Sequence, residues 1–141
     1  SGALPSEMVE MEYWRAREAG GASGRAPEKV LYGTDLERSG FSTCCKDPLA
    51  ASEWNLQTLS KQGCSLLRHL MQPIPGVSEP FMYIGMLFST FAWHVEDHYL
   101  YSVNYHHLGA PKTWYCVPAD DMARFEEVIQ GITYDGVQCD S

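Results

Sequence analysis

His94 and Glu96, separated by one residue in FAWHVEDH, make up the densest chemistry in this 141-residue chain. In an extended backbone alternate residues share a face and their Cα atoms lie about 6.6 Å apart, so one metal ion is within reach of both. A neutral imidazole and a carboxylate are two of the three ligands with which non-haem Fe(II) oxygenases hold their metal, leaving positions open for cosubstrate and dioxygen. The same H-x-E spacing also suits an exposed strand end that binds nothing. Another metal reading pairs His94 with His98, four residues on, as on the helix of a zinc hydrolase. There, however, glutamate follows the first histidine directly. Here Val95 intervenes and the flanks read as strand, which leaves His98 as a structural hydrogen-bonding residue.

Lys112 and Asn104 come next. An ammonium on a strand otherwise rich in Tyr, Trp and Val calls for an anionic partner, and strand alternation puts Lys112 and Trp114 on one face, a cation beside an aromatic wall. The plain alternative is a solvated edge lysine. Tyr32, in YGTD, has a hydroxyl to offer the same carboxylate, provided the fold brings it there.

The elements that must position these groups follow from pattern. Residues 7–17 read as a helix, and GGASGRAP after it as a connector, so residues 1–29 are expected to be peripheral. Residues 53–59 suggest a short helical turn. Leu66, Leu67, Leu70 and Met71 recur at helical spacing and stop at Pro73 and Pro75, which predicts a short amphipathic helix. From Pro80 onward aromatic and β-branched residues dominate, and three successive antiparallel strands are expected, starting near Pro80, Tyr99 and Lys112. LGAP supplies a turn between the second and third. Met122, Phe125, Val128 and Ile129 form the stripe of a helix that begins after Asp120 and Asp121 and is expected to close at Gly131.

Composition bounds the rest. With 45% hydrophobic and 20% charged residues, the chain has the balance of one globular domain. Eighteen acidic against ten basic residues give a net charge of -8, which favours a basic peptide as partner and disfavours direct nucleic-acid binding. The longest apolar run, residues 81–93, falls short of the roughly 20 residues of a membrane span, so no membrane partner is expected. Five cysteines without regular spacing point to a reducing compartment rather than a disulfide framework.

The stretch at 83–118, YIGMLFSTFAWHVEDHYLYSVNYHHLGAPKTWYCVP, resembles the JmjC (jumonji) domain of Fe(II)- and 2-oxoglutarate-dependent histone lysine demethylases. The likeness extends back through EWNL at Glu53 and YGTD at Tyr32, and AWHVEDHYLYSVNYHH is most similar to the green-plant branch. The resemblance implies a mostly β fold with flanking helices, part of a cupin-like double-stranded β-helix or jelly roll, over residues 30–141. It implies Fe(II) and 2-oxoglutarate as cofactor and cosubstrate, with His94 and Glu96 as catalytic iron ligands. Tyr32, Phe91, Asn104, Lys112 and Trp114 would form the 2-oxoglutarate pocket, Lys112 and Tyr32 holding the distal carboxylate. Gly76 and Tyr83 would surround the methylated lysine. The implied activity is oxidative N-demethylation of a histone H3 tail, in chromatin and in the nucleus, with release of formaldehyde.

The family's third iron ligand is a histidine on a later strand, and no residue here matches it. The expectation is therefore the N-terminal half of a JmjC domain, inactive on its own, within a demethylase. A non-catalytic JmjC-derived scaffold or chromatin interaction module is the alternative. His106 and His107 are not expected to substitute as ligands, and Cys139 is only a faint echo of a zinc-binding cysteine that follows the helix in some demethylases.

Overall fold

In the computed structural model, residues 4–22 and 29–133 are described, and the chain divides into two compact units, Ser1–Gly109 and Ala110–Ser141. Cys139 and the far side of the expected connector lie outside the described residues.

The first unit opens with helix α1, Ser6–Ala22. The Pro5 carbonyl accepts from the Met8 and Val9 amides at 3.1 and 3.2 Å, covering donors that a first turn otherwise leaves open. On its exposed face Arg15 forks onto the Glu12 carboxylate at 2.7 and 2.9 Å, a pairing that holds the carboxyl below its usual range. One contact inward is aromatic: the Tyr13 ring lies 5.8 Å from that of Phe88.

Strand β1, Tyr32–Leu36, pairs antiparallel with β2, Met82–Gly85, as a two-stranded sheet. Between them the chain is folded by polar side chains rather than by regular structure. Asn55 is fully buried. Its Nδ2 donates to the Ser42 and Ala50 carbonyls, both at 3.1 Å, while its Oδ1 accepts from the Gln57 amide at 3.0 Å. That last bond caps the four-residue helix α2, Leu56–Leu59. Further on, the Ser60 hydroxyl donates to the Ser78 carbonyl at 2.7 Å and Lys61 meets Glu79 at 2.9 Å, which fastens the end of α2 to the turn before β2. Phe41 is the buried hydrophobic residue among those described, with the rings of Tyr105 and His107 at 4.7 and 4.6 Å. A Cβ at Gly40 would come within 2.7 Å of the His107 ring, so glycine admits this packing.

Several expected elements take other forms. The amphipathic helix at Leu66 is one 3₁₀ turn, Leu66–His69, since two prolines leave no room for a second hydrogen-bonded turn. Of the three strands expected in succession, the first forms, as β2. Residues 100–107 and 111–118 have no ladder among the described residues, and β-propensity without a hydrogen-bonding neighbour does not make a strand. Within the second unit, α3 spans Met122–Thr133 and runs through Gly131. Gly131 is not at positive φ, and glycine ends a helix chiefly by adopting that conformation.

The donors and acceptors of Asn55 make a specific stability prediction. Asn55→Ala should lower unfolding free energy by about 2–3 kcal/mol, the combined effect of a lost cap and two carbonyls left without a donor. Asn55→Asp should be no better, because a carboxylate can still cap but cannot donate. Urea unfolding of the variants checks both; an Asp variant as stable as the parent would show that the two carbonyl contacts carry nothing.

Candidate metal and substrate site

His94 and Glu96 face one another in the first unit. The carbonyl of Ala92 lies 2.8 Å from His94 Nδ1, and because a carbonyl only accepts, the imidazole proton belongs on Nδ1. Nε2 stands 3.9 Å from Glu96 Oε1. Two bonds of about 2.0–2.2 Å to one ion can span such a gap, so this donor set fits a divalent metal as two of its ligands. The Phe91 ring lies edge-on to the imidazole, with centroids 6.0 Å apart. Both side chains of the pair are about half exposed, and among the described residues no group of three His, Cys, Asp or Glu gathers around an ion.

Immediately after Glu96 the chain turns sharply. His98 and Tyr99 have φ of 54° and 52°, the left-handed region that non-glycine residues seldom occupy. The expected structural hydrogen bond of His98 is not found among the described residues. His107 contributes its ring to the Phe41 cluster.

The sheet assembles the second group of candidates. Tyr32 pairs with Gly85, where a Cβ would crowd the Ser89 hydroxyl and meet the Tyr32 ring in ordinary contact at 3.5 Å. The Tyr32 and Tyr83 rings lie 6.1 Å apart. The Tyr83 hydroxyl donates to Asp35 Oδ1 at 2.9 Å. Desolvation, the bond to Asp35 and the nearby negative charges of Asp35 and Glu96 push the Tyr83 phenol up to about 12. Tyr32 is raised as well, chiefly by desolvation and then by Asp35. Asp35 is the member of this group that motif spacing does not single out; its signal in the sequence is its place in YGTD, on the strand that also carries Tyr32.

Gly76 lies in a turn at φ 77°, donating its amide to the Glu79 carbonyl at 2.8 Å. A Cβ there would stand 2.5 Å from the Phe81 ring, so both conformation and space require glycine. Asn104 is exposed in the first unit. In the second unit Lys112 Nζ sits 5.9 Å from the Trp114 ring centroid, the shared face that alternation predicts. Cavities of ≈ 270 Å³, lined by Val117, Asp121, Arg124, Phe125 and Val128, and of ≈ 220 Å³, between Ser60 and Glu79, include none of these candidates.

The family model described as "JmjC domain, hydroxylase" matches residues 81–140, the stretch that holds β2 and the His94–Glu96 pair. This is JmjC-domain sequence. The JmjC chain is 50% identical over 94% of its length to the rice protein named lysine-specific demethylase JMJ706, and 42% identical over 90% to rice lysine-specific demethylase JMJ705. Against Arabidopsis thaliana lysine-specific demethylase ELF6 it is 56% identical over 61% of the chain. It spans 15%, 11% and 6% of these relatives' lengths. A JmjC domain implies the cupin-like jelly roll, of which the described residues display the two-stranded sheet.

The Tyr83–Asp35 bond predicts a spectroscopic result. Asp35→Ala should bring the Tyr83 ionisation down from about 12 toward, but not fully to, the ordinary value near 10, because desolvation remains. The difference in tyrosinate absorbance between each protein and its Tyr83→Phe counterpart isolates the step. Since the native pKa lies above the unfolded one, the bound proton stabilises the fold below about pH 10 and that contribution fades toward pH 12.

Proposed function

We propose that the protein carrying this segment is an Fe(II)- and 2-oxoglutarate-dependent lysine demethylase that acts on a methylated histone H3 tail in the nucleus. The observation that supports this reading most directly is the imidazole–carboxylate pair, with His94 Nε2 3.9 Å from Glu96 Oε1, inside the stretch matched by the JmjC family. Relatives named as lysine-specific demethylases support the same reading. When bound, iron and its oxo-acid cosubstrate would supply the oxidising power for removing an N-methyl group as formaldehyde.

The chain's own residues have four tasks in this scheme. His94 and Glu96 supply two iron ligands, and the Ala92 carbonyl fixes the tautomer that lets His94 bind. The resemblance gives Lys112 and Tyr32 to the distal carboxylate of 2-oxoglutarate, a charge to which an ammonium is suited. It gives Phe91, Asn104 and Trp114 to the same cosubstrate, the aromatic rings keeping water from the oxidising centre. Tyr83 and Gly76 meet the methylated lysine head. The net charge of -8 favours approach of a basic tail.

A JmjC-derived scaffold without turnover is the second reading.

Metal content and turnover of the full-length protein separate the two readings. In the enzyme, Glu96→Ala should remove retained iron and stop formation of succinate and formaldehyde with trimethyl- or dimethyl-lysine peptides. Lys112→Ala should raise the KM for 2-oxoglutarate roughly 10- to 100-fold, the loss of one charge-assisted bond, with iron retained. Full-length protein that holds no iron and yields no succinate with any methylated H3 peptide is the scaffold.

A further inference from the structure

Asp35 has two unusual properties. Its φ is 55°, in a region that Asp and Asn tolerate better than other residues with a Cβ. It also lies in a β-bulge: Gly33 pairs with Ile84 and Leu36 with Met82, so Thr34 and Asp35 together stand opposite Tyr83. A bulge re-aims a side chain that regular alternation would send elsewhere. Here the outcome is the 2.9 Å bond from the Tyr83 hydroxyl to Asp35 Oδ1.

That bond fixes the direction of a proton. An ionised carboxylate only accepts, so the phenol must donate to it. A hydroxyl free to rotate can turn its proton toward a ligand, whereas a hydroxyl already committed to Asp35 keeps only acceptor lone pairs for any other partner. Such an oxygen turns the negative end of its dipole to the partner and so suits a cation, including one with no N–H to donate. We propose that Asp35 is a positioning residue for Tyr83: it holds the hydroxyl proton, so that the phenol oxygen presents its lone pairs to an N-methylated ammonium head and prefers that charge to an uncharged head of the same shape. The inference rests on the reading of Tyr83 as substrate-facing.

The test measures binding of two peptides to the full-length protein, one with trimethyllysine and one with its uncharged carbon isostere. Asp35→Gly removes the acceptor and accommodates the positive φ without strain; Asp35→Asn keeps a carbonyl acceptor at the same place. The Gly variant should lose roughly 3- to 10-fold of the preference for the charged peptide, the scale of one hydrogen bond, and the Asn variant should keep most of it. In a Tyr83→Phe background, Asp35→Gly should change the preference no further. If it still lowers the preference there, the carboxylate acts on the ligand directly, and the proposal is overturned while Tyr83 keeps its role. A preference that Tyr83→Phe lowers and Asp35→Gly leaves untouched also overturns it. Should Tyr83→Phe itself leave the preference unchanged, the substrate-facing reading fails and the proposal falls with it.

Discussion

The chemistry gathered in the first unit depends on the antiparallel pairing of β1 with β2. Tyr32 and Tyr83 are about fifty residues apart in sequence, and closing so long a loop has an entropic cost that local preferences cannot offset. The pairing brings their rings to 6.1 Å, and its bulge delivers Asp35 to the Tyr83 hydroxyl. Two strands alone are marginally stable in water. Their register therefore leans on what holds the intervening chain, namely the buried Asn55 with its three hydrogen bonds and the Ser60–Ser78 and Lys61–Glu79 contacts that tie α2 to the turn before β2.

This is an unusual distribution of stabilising forces. Among the described residues Phe41 is the buried hydrophobic, whereas Asn55, Ser60 and Ser78 are buried polar groups, all with partners. Large apolar side chains such as Trp93, Leu100, Tyr101 and Trp114 are exposed. In a jelly roll one face of each strand is covered by a second sheet. The extended residues 100–107 and 111–118 have the composition for such burial, and here they have no ladder to align them. The His94–Glu96 pair is half exposed as well, on irregular chain beyond the end of β2.

Local sequence determined much of this. Alternation put His94 and Glu96 on one side and set Lys112 beside Trp114, and both follow from the two-residue repeat of an extended chain, which needs no distant partner. The helices were legible at their centres, where α1 and α3 form, and less so at their ends. In sequence Gly131 has the look of a helix stop, because glycine often caps a helix, yet capping depends on a φ that composition does not reveal. The resemblance names residues on several segments, Tyr32, Gly76 and Tyr83 among them, and the local repeat accounts only for His94 with Glu96 and for Lys112 beside Trp114.

Tertiary structure decided whatever required two distant segments to meet. Which strand Tyr32 would face, that Asp35 would bond to Tyr83, and that His107 would pack against Phe41 are all consequences of long-range pairing. The physical reason is that side-chain periodicity is a property of a few consecutive residues, whereas a bulge, a proton's direction and a buried amide are fixed only by the groups placed opposite them.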